Sequence, residues 1–333
     1  MVRFVNDQNK VLMFAESGTY AVASGTAGLW IGLVESNEID DAENKMATRY
    51  LGTSTRSFVQ MIPGPRDVTG TLTYAPQDMR IPFLTIGSVV DGGSVNKYTH
   101  LVTQVNTNVA QSSFTSGTLN APNSFTLEDS KTAVGTNNTF IRTINGCVPN
   151  TVTLTATQGE KVSVEVAYIG QTLNFTSGTA STTTASTVTP YLWNNCSLVI
   201  SGTTINTAKE VVLEIAQNVE APHYLNGSRD ISVPFQKNRD NKLTVTLDLN
   251  APTSSLLYNE LYKTNGQFDA TFDLNADVIA TGSQHTIYFL SGCRITSMDA
   301  PSEVEGTTES TIEIQAPILI GSAFDTTPKY GYW

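Results

Sequence analysis

The sequence predicts a mainly β chain of two tandem, similar β-rich domains, each with one short helix. Three observations carry that reading: strand-like alternation through most of the chain, only two helix signals, and an internal repetition of three sequence blocks. At 333 residues the chain is long enough for two domains that each bury a core of their own.

Alternation is clearest in TVTLTATQGEKVSVEVA, Thr151 to Ala167. Val152, Leu154 and Ala156 alternate with threonines, Gln-Gly-Glu turns, and Val162, Val164 and Val166 alternate with Ser163 and Glu165, so the segment reads as a hairpin with one dry and one wet face. KLTVTLDL (Lys242 to Leu249) and ESTIEIQAP (Glu309 to Pro317) repeat the pattern. The better helix signal is Ala251 to Gly266, with Pro252 to Ser254 at its start, Leu256, Leu257 and Leu261 on one face, and Gly266 as its stop. The weaker one is Gln77 to Ile86, where Pro82 limits regular helix to a turn or two on either side.

FTSGTASTTTASTVT, Phe175 to Thr189, has almost nothing apolar to bury and reads as a linker or an exposed hairpin tip. The domain boundary is placed there, giving domains 1–190 and 191–333. The first holds 14 acids and 11 bases, the second 16 and 8.

The repeated blocks keep their order. RYLGTSTRSF (Arg49 to Phe58) resembles HYLNGSRDIS (His223 to Ser232). VTGTLTYAP (Val68 to Pro76) resembles LTVTLDLNAP (Leu243 to Pro252), matching Leu72 to Leu247 at an offset of 175. The segment from Ile144 resembles the one from Leu290, matching Cys147 to Cys293 at an offset of 146. The offsets differ by 29, so the first copy carries about that many extra residues, placed as a surface insertion at about 91–138.

Composition excludes several function classes. A net charge of -11 disfavours a protein that clamps nucleic acid by neutralising phosphates. Three cysteines, Cys147, Cys196 and Cys293, are too few and too far apart for a disulfide framework or a metal knuckle. Neither a signal-peptide stretch nor a membrane-length apolar run is read, so the expectation is folding in a cytoplasm without secretion. His100, His223 and His285 stand alone, and neither a phosphate loop nor a nucleophile elbow is present. The adjacent Asp40 and Asp41 read as an exposed polar loop, and the acidic run Glu35 to Glu43 lacks EF-hand spacing. Catalysis, cofactor and metal are all expected to be absent.

The arrangement resembles a known family. A strand, a polar loop with Tyr-Leu-Gly and an Arg, a strand, one helix and a Gly-Cys strand leading into a closing hairpin resemble the tail tube proteins of long-tailed, siphovirus-like bacteriophages and related tailed viruses. GLWIGLVESNEIDDAE (Gly28 to Glu43), Gly70-Thr71-Leu72, Gly87-Ser88-Val89, Arg229 and EVEGTTESTIEIQAPI also look like that family, over nearly the whole chain. The resemblance implies a structural virion protein of two tandem β-sandwich or half-barrel tail-tube-like domains, each with one short helix, that share sheets with their neighbours in rings of six domains. Stacked rings would form the hollow tail tube through which DNA passes during ejection. For a fused pair of domains, a homotrimer makes a pseudo-hexameric ring. The implied partners are other copies of the chain, the tail terminator, tape measure and baseplate or tip proteins, and double-stranded DNA in transient, non-specific passage. No membrane is implied, and the implied location is the virion tail, assembled in the host cytoplasm.

Such a duct should repel phosphate weakly, which makes Glu165, Glu303, Glu305, Glu309 and Glu313 the lumen candidates. The family stacks its rings through a long loop and terminal arms. These map to about Glu38 to Pro65, with an echo at Lys209 to Asp240, and to the tail Gly321 to Trp333. The resulting candidates are Tyr50, Arg56, Arg229, Phe324, Tyr330, Tyr332 and Trp333. The alternative is a receptor- or carbohydrate-binding β-sandwich module of a virion or cell surface, stacking ligands on Trp30, Trp193 and the tyrosine-rich tail.

Overall fold

Antiparallel strands make up most of this computed structural model, which describes residues 4–16, 20–23, 28–48, 60–94, 97–104, 124–133, 139–225, 227–249, 253, 255–279, 282–299 and 309–325. In the first half they are β1 (Phe4–Ala15), β2 (Gly32–Thr48), β3 (Gln60–Pro76), β4 (Gly87–Ser94), β5 (Lys97–Gln104), β6 (Phe125–Ala133), β7 (Thr139–Thr157), β8 (Ser163–Gly170) and β9 (Thr172–Gly178), with helix α1 (Arg80–Ile86) after β3. In the second they are β10 (Cys196–Ile200), β11 (Thr203–Thr204), β12 (Ala208–Ala216), β13 (Asp240–Asp248), β14 (Phe268–Ile279), β15 (Gly282–Asp299), β16 (Glu309–Ala316) and β17 (Ile318–Asp325), with a π-type helix (Ser255–Tyr262) after β13.

A central sheet runs β2-β3-β8-β7-β12-β13-β16-β15 and so joins both halves. It contains one four-strand order twice: β2-β3-β8-β7, then β12-β13-β16-β15. Two flanking sheets follow the same rule, β1-β6-β7-β9 in the first half and β10-β14-β15-β17 in the second. The second is extended by β5 and β4 from the first half, while β11 adds to β10.

β7 and β15 each belong to two sheets, because each turns a corner at a glycine with positive φ, Gly146 at 67° and Gly292 at 74°. That left-handed conformation strains any residue with a Cβ. The next residue is a buried cysteine in both cases, Cys147 or Cys293, whose Sγ donates to the carbonyl three residues back, Ile144 at 3.5 Å or Leu290 at 3.4 Å. The pairing breaks register at the same place beyond each corner, Pro149/Thr151 and Ile295/Ser297. Packed between the sheets is a single apolar cluster containing Leu72, Val152, Leu154, Val164 and Val166 of the first half and Leu213, Leu243, Val245, Ile312 and Ile314 of the second.

The hairpin at Thr151 to Ala167 and both helices lie where the sequence puts them. Pro82 sits in the first turn of α1, where its missing N–H is not needed, and Gly266 N–H closes the second helix on Leu261 O at 2.9 Å. Three boundaries differ from expectation. The stretch from about 91 to 138 contains β6, which pairs with Cys147 through Phe125 as β14 pairs with Cys293 through Phe268. The extra residues of the first half therefore lie between α1 and β6. The loop expected at Glu38 to Pro65 is mostly a hairpin: β2 and β3 stay paired out to Thr48↔Gln60, beyond the stretch Val68 to Tyr74 that β8 covers. Gly321 to Asp325 are not arm but β17, held by β15 on one side and β5 on the other.

α1 is buried along its whole length. Phe83 meets Tyr288 edge-on with centroids 5.9 Å apart, and Thr85 O accepts from Gln217 and from Arg239 at 3.2 Å, so the second half covers this helix and caps its C-terminal end.

Candidate functional site

Each strand of the central sheet alternates, so its two faces differ in chemistry. One face carries the core. The other is a field of threonines and carboxylates, and one rung reads Ser36, Thr73, Glu165, Thr153, Glu214, Lys242, Gln315, Arg294 across eight strands. The next reads Ser163, Thr155, Val212, Thr244, Glu313, Ser297.

Three of the lumen candidates, Glu165, Glu309 and Glu313, share this face. Glu303 and Glu305 lie outside the described residues. The two bases nearest the second-half carboxylates are neutralised in place: Lys242 Nζ is 2.7 Å from Glu313, and Lys209 binds Glu309 and, at 2.9 Å, Asp248. The Lys242 hydrogen bond holds the Glu313 carboxyl below its usual range. Glu165 and Glu214 have no such ion pair among the described residues. Glu210 and Glu214 were missed in the sequence, although AKEVVLEIA alternates as clearly as the segments singled out. The face thus presents excess negative charge on a hydroxyl-rich surface, which attracts no polyanion.

The sheet ends on two strands with one neighbour each. β2 pairs only with β3, and the Arg294–Asp299 part of β15 only with β16, among the described strands. Rows of backbone donors and acceptors at such edges are templates for another strand.

Of the stacking candidates, Tyr50, Arg56, Tyr330, Tyr332 and Trp333 lie outside the described residues. Arg229 sits against the projecting β2–β3 hairpin: its Nε donates to Gly64 O at 2.9 Å, its guanidinium is 3.5 Å from Glu43, and its carbonyl accepts from Arg66 N–H at 2.9 Å. Arg66 in turn forks onto Asp41 at 2.6 and 2.7 Å and donates to Leu173 O. The loop between β12 and β13 is therefore strapped to the base of the hairpin. Phe324 stacks on His285 with centroids 5.6 Å apart, inside the flanking sheet.

No reactive chemistry accompanies this surface. Burial pushes the Cys293 thiol up to about 11 and the Cys196 thiol up to about 12, and raises Cys147 well above its ordinary value, so none is a thiolate nucleophile at neutral pH. Asp40 and Asp41 are successive strand residues pointing to opposite faces. Among the described residues no group of three or more His, Cys, Asp or Glu could hold a metal ion, and no helix is long and apolar enough to cross a membrane. Trp30 donates to Gln77 at 2.6 Å and Trp193 packs on the core, so the two indoles are engaged internally.

No curated protein matches the chain. The model of one protein family, the phage tail tube proteins, matches residues 8–317. With a two-faced β architecture, a carboxylate-rich polar surface, two open sheet edges and a family match over nearly its whole length, the chain belongs to the phage tail tube protein family.

Proposed function

We propose that three copies of this structural, non-enzymatic tail protein close a pseudo-hexameric ring, and that rings stack into a hollow tube conducting double-stranded DNA. The carrying observation is the doubled strand order of the central sheet. Inside the chain, the last strand of the first set, β7, pairs with the first strand of the second, β12, from Thr157↔Glu210 to Thr151↔Ala216. β15 of one copy and β2 of the next stand in the same relation, so repeating the junction three times closes the sheet with no edge left over. The units repeated are two tail-tube-like domains, 1–190 and 191–333. The polar face then lines the lumen, with Glu165, Glu210, Glu214, Glu309 and Glu313 repelling phosphate.

Stacking falls to the β2–β3 hairpin with Tyr50 and Arg56 beyond its described ends, to the Arg229 loop strapped to it, and to the tail from Tyr330 to Trp333. The tail terminator, tape measure and baseplate or tip proteins meet the tube at its ends and lumen, after assembly in the host cytoplasm. Negative-stain electron microscopy across a concentration series, with mass in solution measured alongside, tests the reading. Annuli or tubes growing in steps of three chains are expected; a species that stays monomeric at high concentration would sink it.

A further inference from the structure

Resting on that ring reading, the doubled architecture also points to a second contact between neighbours, away from the sheet edges. In the second half the flanking-sheet rung Phe272, Tyr288, Gly321 lies under Phe83 of α1; a Cβ on Gly321 would come within 2.9 Å of the Phe83 ring. The first half has the matching rung Asp129, Arg142, Phe175: Arg142 and Phe175 correspond to Tyr288 and Gly321 by the same offset of 146 that relates Cys147 to Cys293 and Leu173 to Leu319, and Asp129 corresponds to Phe272 by the offset of 143 that relates Phe125 to Phe268. Phe175 follows buried Leu173 on the same, core-facing side of β9, yet it is 55% exposed. Its ring touches Phe140, and the buried Arg142 Nε has no hydrogen-bond partner. Among the described residues no helix covers this sandwich face.

The second helix shows the complementary deficit. It buries Leu257 and Leu261 against its own half, but Tyr258 and Tyr262, with rings 6.0 Å apart, remain 46% and 37% exposed. α1 has no such exposed side because the following half covers it. We infer that the Tyr258–Tyr262 face of one copy docks on the Phe175–Arg142 face of the next, as α1 docks on the second half within the chain. Aromatic rings supply the buried area, and a tyrosine hydroxyl can accept from Arg142. The contact is head-to-tail and runs in the same direction as β15 onto β2, so it reinforces ring closure.

The test is cysteine cross-linking of the full-length assembled protein with a short bis-maleimide. The native thiols are a low background, being buried or half-buried with raised pKa values. Tyr258→Cys with Phe175→Cys in one chain should give a covalent ladder reaching three chains, while either substitution alone gives none. A parallel pair, Ser297→Cys with Ala42→Cys, reports the sheet seam independently. A ladder from the seam pair alone would overturn the docking face and leave the ring standing; no ladder from either would overturn both. Tyr258→Asp, on an exposed position that folding does not need, should raise the concentration for assembly about tenfold, and Tyr258→Phe much less. An unchanged assembly concentration with Tyr258→Asp would also overturn the docking.

Discussion

The two halves of the chain turn the same corner with different supports. In the first, Gly146 N–H donates at 2.7 Å to Glu16, whose carboxylate also accepts from Thr126 and Ser124 at 2.6 Å and from Ala21 N–H at 2.9 Å, wholly out of solvent. In the second, Gly292 N–H donates at 3.0 Å to Asp269, which also accepts from Ser291 in an exposed setting. The same backbone need is met once by a buried polar network and once at the surface. What differs is what lies on top: residues 20–23, with Tyr20 donating to Gly146 O at 2.9 Å, cover the first corner, whereas the second stays accessible. The difference shows that a duplicated plan keeps its backbone geometry while each copy finds its own way to satisfy it.

The sharpest way to break this comparison is to remove the two carboxylates in turn. Glu16→Ala strands three buried donors and one half-buried one and should cost about 3 kcal/mol or more, while Asp269→Ala should cost about 1 kcal/mol. Denaturant midpoints with unchanged slopes would show it, and equal losses would contradict the contrast.

The halves also differ at their outer edges. β17 is capped by the inserted hairpin β4–β5, pinned by His100, which sits between Asp91 at 2.6 Å and Asp325 at 3.2 Å; the matching edge at β9 has no such cap among the described residues. Burial alone would lower the His100 pKa, but the hydrogen bonds to Asp325 and Asp91 outweigh it and hold it at about 9 against 6.5 in the unfolded chain. Because the folded value is the higher one, the stabilisation is complete below pH 6.5 and is lost as pH rises through about 9. Its full size is about 3 kcal/mol. Amide exchange in β5 and β17 should accelerate between pH 7 and 10 beyond the intrinsic chemical rate, and His100→Gln should abolish the difference. A smaller contrast lies at the glycines. Gly146→Ala adds a clash with Tyr20 at 2.7 Å to the left-handed strain, for about 2 to 3 kcal/mol, whereas Gly292→Ala meets mainly the flexible Gln267 and should cost about 1 to 2 kcal/mol.

Much of this was legible because alternation survives wherever a strand has one dry face, as in Thr151 to Ala167 and KLTVTLDL. It fails for identifiable reasons elsewhere. β6 reads FTLEDSKTA and hides because both of its faces are covered, with Glu128 accepting from Ser181 and Asp129 paired to Arg142. The outer part of β2–β3 hides for the opposite reason: it projects beyond the sheet, so neither face is dry. The Gly321–Asp325 part of β17 reads as tail in the sequence because Gly321 and Ala323 are small, and the close packing of Phe83 and Val102 on Gly321 requires a small residue there. The polar face was half read: its glutamates were visible one strand at a time, while the rung that joins them exists only across eight strands.

The central claim is that β15 and β2 of neighbouring copies repeat the β7–β12 junction, and hydrogen exchange on assembled against unassembled protein tests it most directly. In the unassembled chain β7 and β12 should already be protected on both sides, and the amides of Leu33–Asp41 and Arg294–Asp299 that point away from β3 and β16 should exchange fast. Assembly should slow both edge sets together to the level of β7 and β12. Edge amides that stay fast while rings form would contradict the account, because the ring would then close through some other surface.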